Sequence, residues 1–498
     1  MVFGFERSSS EVVILAIVNL AEILLASGDA TAPCLIGPDG SVHATYGSLR
    51  SDVATLAADI AANTQAGDRV AFAIPNCTEF VIAYLAILYA GRIAVPLNPS
   101  APRAEIDREI AVVSSSLRLD VAAVREVLDN GQALEFTAVE QSADSVAVCL
   151  FTSGTAGAPK AAMLTHGSLL ANLEQVQSAP GLAFQRNDIA LGALPLFHIF
   201  GLNVVLALAL KAGAALSLVE AFHPAEVAQQ IATTGVTIVA GVPAMYQAWL
   251  AVAGKLTDNP FAKVRLAVSG AAALDERTHQ EFATRFNVNV YEGYGLTEAS
   301  PIVSTTAVDQ AVRSGSIGPA LPGVLVRLVD RDGADALADD PGEIWVKGPN
   351  VFAGYWNDDA QTSAVLTDDG WLRTGDIAVA DANGWLTLVD RSKDLIIVSG
   401  FNVYPAEVED ALCHHDAVEH AAVVGEPDER SGEHIVAFIV VRSGNDEPTP
   451  TQLIAHLRRR VARYKIPARF EFVSELPQTF AGKVVRRALR SDTTTMSA

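Results

Sequence analysis

A chain of 498 residues, half of them hydrophobic and 18% charged, is too long for one ordinary core and too apolar to be disordered, so two or more packed domains are expected. Its formal net charge of -22 opposes nucleic acid over most of the surface, which argues against a DNA or RNA partner. Cys34, Cys77, Cys149 and Cys413 lie far apart with no CxxC or Cys/His cluster, so neither a zinc site nor a disulfide scaffold is indicated and a cytoplasmic setting fits.

The apolar run Val12 to Val18 is too short to span a bilayer, and Asn19 and Glu22 interrupt the apolar pattern beyond it. Without a strongly basic start or a clear cleavage site, no signal peptide is expected. RVAFAIP (69–75) and GRIAVPLN (91–98) read as short buried strands, and EFVIAYLAILYA between them as a buried helix. Strand, helix, strand predicts parallel α/β layers. The pattern recurs through the strand-like runs DVAAV, IALGALPL, AALSLV, VTIVAGVP and VRLAVSG, with helical stretches SLLANLEQV and PAEVAQQIATT among them. From about Val308, VLVRLVDRDGA, GEIWVKGP and IAVADANGWLTLVD predict a small antiparallel β subdomain. After Arg391 the strands HAAVVGEP and HIVAFIVV and the helix PTQLIAHLRRRVARY suffice for a separate domain, and the tail SDTTTMSA reads as frayed. Between Leu457 and Arg490 stand ten Lys or Arg against two Glu, either a solvated face or a local anion site.

Several stretches carry chemistry. FTSGTAGAPK (151–160) concentrates hydroxyls and glycines ahead of one cation, and such a turn can aim backbone N–H groups at an anion. It is not a Walker loop, because Ala158 and Pro159 separate the last Gly from Lys160 and Ala161 follows. Taken alone, it reads equally as a phosphate loop and as an ordinary polar turn. ALPLFHIFGL places one His in an apolar run, which by itself suggests a satisfied core histidine. YEGYGLTEAS, WLRTGDI, DRSKDLIIVSGFNVYPAEVE and PQTFAGKVVR follow in order.

This ordered set resembles the adenylate-forming superfamily of acyl-CoA synthetases, luciferases and peptide-synthetase adenylation domains, from AEILLASGDATAPCLI to GKVVRRALR. YEGYGLTEASP and the absence of a long central insertion look most like fatty-acyl-CoA ligases. The resemblance implies an α/β fold, with a large N-terminal domain of layered α/β subdomains plus a small β subdomain, and a smaller, mobile α+β C-terminal domain. On this chain the divisions would fall at 1–390 for the adenylation domain, 391–394 for the hinge and 395–498 for the C-terminal domain. Relatives of this kind convert an acid and ATP into acyl-AMP and pyrophosphate, after which a thiol displaces AMP.

By the same resemblance, Thr152, Ser153, Gly154, Thr155, Gly157 and Lys160 would hold the β- and γ-phosphates. Thr297 would donate to the α-phosphate and Glu298 would ligate Mg2+, although alone they read as a helix cap and its first-turn carboxylate. Tyr294 would stack on adenine between Gly293 and Gly295, with Gly270, Ala271 and Ala272 opposite and Glu292 near its edge. Asp376 would accept from the ribose hydroxyls, and Arg391 and Asn402 would complete the nucleotide contacts. Lys483 would bridge the carboxylate and the α-phosphate. Lys393 would be the hinge, Gly400 would line the coenzyme A tunnel, and His198, Val242, Met245 and Tyr246 would border the acyl pocket.

Two departures from the family loop are Ala156, which removes a hydroxyl, and Ala161, which would be strained if that position needed positive φ. VAGVPAMYQAWL and SGAAAL contain no Lys, Arg, Asp or Glu, so no second charge on the substrate would be paired, which argues against malonate and amino acids. The expected substrates are therefore a medium- or long-chain fatty acid, ATP and coenzyme A. Loading of a carrier protein, an aryl or alicyclic acid, a catalytically weak binding protein and peripheral membrane contact all stay open.

Overall fold

The computed structural model describes residues 2–3, 18–130, 135–152, 159–179, 181–256, 258–308, 313, 315–330, 332–338, 340–391, 396–398, 401–428, 432–461, 463–478 and 484–489. The chain divides into two compact units, one of Val2–Val326 with Trp345–Arg373 and the other of Arg327–Ile344 with Thr374 to the C-terminus.

In the larger unit, the strands Leu117–Leu119, Arg69–Phe72, Ile93–Pro96 and Val146–Thr152 pair in parallel in that order, and Lys160–Thr165 closes the sheet antiparallel to Val146–Thr152. The helix Thr78–Tyr89 links two of these strands, and every residue from Phe80 to Leu88 is buried. A helix that is apolar all round needs cover on every side, as the layered order of the elements anticipates.

A second, eight-stranded sheet runs in the order Ile302–Thr305, Val290–Gly295, Leu266–Ser269, Ile238–Gly241, Ile189–Gly192, Ala215–Leu218, Pro33–Ile36 and Val42–Thr45. Its interior pairs are parallel and both edge pairs antiparallel. Ile238–Gly241 and Ala215–Leu218 are buried at every position, the mark of strands covered on both faces.

One expected strand is a helix. DVAAV opens the helix Val121–Asn130, and the strand is the preceding Leu117–Leu119. Asp120 Oδ1 accepts from the Ala123 N–H at 2.9 Å, the side-chain cap that starts a helix, and so short an apolar run cannot distinguish the two periods.

Strands Leu325–Val329, Gly342–Lys347, Leu372–Ala380 and Leu386–Arg391 lie side by side in that order, the last two antiparallel. In the C-terminal part, Phe401–Val403, Ile396–Val398, Gly432–Val441 and Val418–Asp428 form an antiparallel sheet that Arg469–Val473 joins in parallel. Val408 and Leu412 from the helix Pro405–Cys413, and Leu453 and Leu457 from Pro450–Leu457, pack with Val423, Ile435 and Ile439 in an α+β core. The expected long helix after Pro450 stops at Leu457, because the three exposed side chains Arg458, Arg459 and Arg460 offer no apolar stripe to dock further turns. Among the described residues, no helix is long and apolar enough to cross a membrane.

Candidate active site

Ile189–Gly192, Ile238–Gly241, Leu266–Ser269 and Val290–Gly295 are adjacent and parallel, so their carboxyl ends fall along one edge of the eight-stranded sheet. In open α/β sheets, ligands bind outside such ends. The loop holding His198 follows the first strand, Val242 and the helix Pro243–Val252 the second, Gly270 to Ala272 the third, and Leu296 to Glu298 the fourth. The register thus gathers these distant candidates on one edge.

Several backbone positions there are constrained. A Cβ on Gly295 would lie 2.2 Å from the Pro301 carbonyl oxygen, so the chain can pass only with glycine. A Cβ on Gly270 would stand 3.0 Å from the ring of Phe200, which places that ring against the loop. Tyr294 is buried, at the point where the register with Ile302–Thr305 shifts. Ala271 has a φ of 69°, in the left-handed region. The strain considered for Ala161 does not arise, because Ala161 lies in the strand Lys160–Thr165 and is not among the positive-φ residues; the strained alanine is Ala271. Since Ala271 is exposed and loses little packing, Ala271→Gly is expected to raise stability by up to about 1 kcal/mol, read as a higher urea midpoint with an unchanged m-value.

Glu292 is buried beside the same loop, where its Oε2 accepts from the Leu274 N–H at 3.0 Å. Burial pushes its carboxyl up to about 7, partly offset by hydrogen bonds from the Leu274 and Gly315 backbone. Between its unfolded value near 4.5 and about 7, the folded state holds the extra proton, so this group's contribution to stability falls as pH rises through that window. Glu292→Gln is therefore expected to melt higher relative to wild type at pH 8 than at pH 5. The full difference is at most roughly 3 kcal/mol, measured by paired thermal melts.

On the phosphate side, Val146–Thr152 and Lys160–Thr165 form a hairpin with Thr152 opposite Lys160. Of the loop candidates, Thr152 and Lys160 are half-buried at its base, and Ser153, Gly154, Thr155 and Gly157, with Ala156, lie outside the described residues. The Lys160 ammonium donates to Gln361 Oε1 and sits 5.3 Å from the centre of the Tyr355 ring. Glu298 is half-buried, and its Oε1 accepts from the Tyr355 hydroxyl at 2.7 Å. The segment from Phe352 to Trp356 stitches these groups together: Phe352 N donates to Glu298 O at 2.9 Å, Met163 N to Gly354 O at 2.9 Å, and Trp356 N to Ala161 O at 2.8 Å. The cap reading of Thr297 and Glu298 is not what forms, since Thr297–Ala299 is a three-residue 3-10 turn with no side-chain cap.

No group of three or more His, Cys, Asp or Glu that could hold a metal ion occurs among the described residues. A lone carboxylate such as Glu298, with one oxygen engaged by Tyr355, nevertheless suits Mg2+, which takes one or two protein carboxylates and otherwise keeps water and substrate phosphate oxygens.

On the acyl side, the His198 ring is exposed, and its Nδ1 accepts from Phe200 N at 3.4 Å. The protein around it still lowers its pKa by desolvation, which favours the neutral imidazole at pH 7. Val242 is half-buried, Met245 buried, and Tyr246 fully buried. The Tyr246 hydroxyl donates to the Val268 carbonyl at 2.8 Å, and its ring meets Trp249 and Phe282 edge-on at 5.6 and 5.1 Å, so both ends of this side chain are engaged in the core.

In the smaller unit, Asp376 is buried in the strand Leu372–Ala380 and pairs in register with Arg391, and the preceding Gly375 N donates to Glu343 Oε1 at 2.9 Å. Asn402 lies in the strand Phe401–Val403, and Lys393, Gly400 and Lys483 lie outside the described residues. Part of the basic run is neutralised within this unit: Lys465 pairs with Glu407, Arg469 with Glu426 at 2.6 Å and Arg486 with Glu409 at 2.7 Å. Tyr355 and Gln361 escaped the sequence reading. A tyrosine after Gly354 in the stretch FAGYW was a signal, but nothing local ties it to Glu298.

Comparison with known proteins identifies the family. The AMP-binding enzyme family matches residues 25–356, and the AMP-binding enzyme C-terminal domain matches residues 407–483. The chain belongs to the AMP-binding enzyme family. It is 34% identical to a long-chain-fatty-acid–CoA ligase of Yersinia pestis over 86% of each chain, and 36% identical to a feruloyl-CoA synthase of Amycolatopsis over 91% of this chain and 94% of that one. Among solved structures, ATP-bound MatB from Rhodopseudomonas palustris superposes with a TM-score of 0.88 at 30% identity, covering 95% of this chain and 98% of that chain.

Proposed function

We propose that the protein is an acid–thiol ligase that activates a medium- or long-chain fatty acid with ATP and passes the acyl group to coenzyme A. The observation that carries this reading is the convergence on one sheet edge of Tyr294, Glu298 and the loops of Gly270 and His198, with Lys160 tied to Glu298 through Tyr355. A carboxylate oxygen attacks the α-phosphorus, the bond from that phosphorus to the bridging oxygen breaks, and pyrophosphate leaves. Coenzyme A sulfur then displaces AMP from the acyl carbon and gives up its proton. ATP supplies the leaving group, and Mg2+ held at Glu298 would offset its charge.

Within this scheme, Thr152 and Lys160 bind the phosphate chain, Tyr294 packs the adenine, and Glu298 holds the cation. Asp376 takes the ribose, and Lys483 joins the two anions. The absence of charged side chains from Val239 to Leu250 and from Ser269 to Leu274 favours an acid without a second ionised group. The hinge at Lys393 within 391–394, and the division into 1–390 and 395–498, belong to the same proposal.

A second reading, an aryl acid, is favoured by the likeness to the feruloyl-CoA synthase. Purified protein with ATP, Mg2+ and coenzyme A, offered saturated acids of graded length beside cinnamic-type acids, separates the two. Acyl-CoA from long saturated acids alone supports the first reading, and product from the aryl acids alone replaces it. Acyl-AMP that never becomes acyl-CoA would indicate a carrier-protein acceptor, and absence of pyrophosphate with every acid would sink the ligase.

A further inference from the structure

Given the adenylating role proposed for this site, the geometry points to Tyr355 as a positioning residue that presents Glu298 and Lys160 together to the metal-bound polyphosphate of ATP. Its hydroxyl donates to Glu298 Oε1 at 2.7 Å, and its ring lies 5.3 Å from the Lys160 ammonium, within cation–π range. One aromatic side chain therefore touches both a candidate metal ligand and a candidate phosphate-binding cation.

Tyr355 is itself held fast. It is buried, its N–H donates to Thr362 Oγ1 at 2.9 Å, its backbone bridges to Ala162 of the hairpin, and its ring meets Phe352 edge-on at 5.0 Å. Glu and Lys side chains lose much rotamer freedom when fixed, and a rigid tyrosine between them meets that cost before the nucleotide arrives. By donating to only one oxygen of Glu298, Tyr355 orients the carboxylate without occupying it, as partners behind a metal ligand commonly do.

The test compares wild type with Tyr355→Phe, which keeps the ring against Lys160 and Phe352 and deletes only the hydroxyl. Titration calorimetry is run with Mg·ATP and separately with AMP in a chelator, without any acid. The expected result is Mg·ATP affinity weakened about tenfold or more, with AMP affinity unchanged, since AMP lacks the β- and γ-phosphates. An unchanged Mg·ATP affinity in the Phe variant overturns the inference while leaving the adenylating role intact. An equal loss of AMP affinity would assign Tyr355 a purely structural role and also overturn it. Wild-type protein that binds no Mg·ATP would overturn both.

Discussion

Lys483→Ala is expected to lower acyl-AMP formation by about 100- to 1000-fold, the cost of one preorganised charge donor at a developing anion. A carboxylate approaching an α-phosphate brings two anions together in a chain whose net charge is already -22, and an ammonium between them offsets that repulsion where the new bond forms. The loss should be confined to the first half-reaction. Supplied with synthetic acyl-AMP and coenzyme A, the variant should form acyl-CoA at close to the wild-type rate, because displacement at the acyl carbon does not require the carboxylate and phosphate to be drawn together. Pyrophosphate exchange and single-turnover thioester formation measure the halves separately. Equal losses in both would remove Lys483 from the proposed role, and no loss in either would remove the residue from catalysis.

Trp249→Ala is expected to have the largest effect on stability, about 3 to 5 kcal/mol. Trp249 is fully buried, with ring centroids of Phe222, Phe261 and Tyr246 at 5.3, 5.2 and 5.6 Å and Phe282 at 6.5 Å. Truncation opens a cavity among rigid rings that cannot collapse onto it. Trp249→Phe should cost far less, because the indole N–H has no hydrogen-bond partner among the described residues and nothing polar is orphaned by its loss. The residue shares the helix Pro243–Val252 with Met245 and Tyr246, so the Ala variant, where it still folds at low temperature, should raise KM for the acid more than KM for ATP. Urea unfolding and initial-rate kinetics check the two parts. A loss under about 1 kcal/mol would mean that the aromatic cluster repacks.

The sequence by itself determined what depends on local pattern. The apolar run through Phe80 to Leu88 specifies a buried helix between short strands. The ordered motifs identify a family, because the hydroxyl- and glycine-rich turn before Lys160 and the acidic residue after YGLT are each written in one short contiguous stretch. Local pattern failed where two periods fit equally, as in DVAAV, which an aspartate cap turns into a helix.

Tertiary structure alone decided which residues meet. Parallel pairing brings the ends of Ile189–Gly192, Ile238–Gly241, Leu266–Ser269 and Val290–Gly295 to one edge, although loops and helices separate them along the chain. It also put the strained alanine at 271 rather than 161, and it placed Tyr355 against Glu298 and Lys160. Each of these depends on contacts between residues far apart in the chain. Such contacts are set by strand register and by how the surrounding core packs, and no short window of sequence contains either.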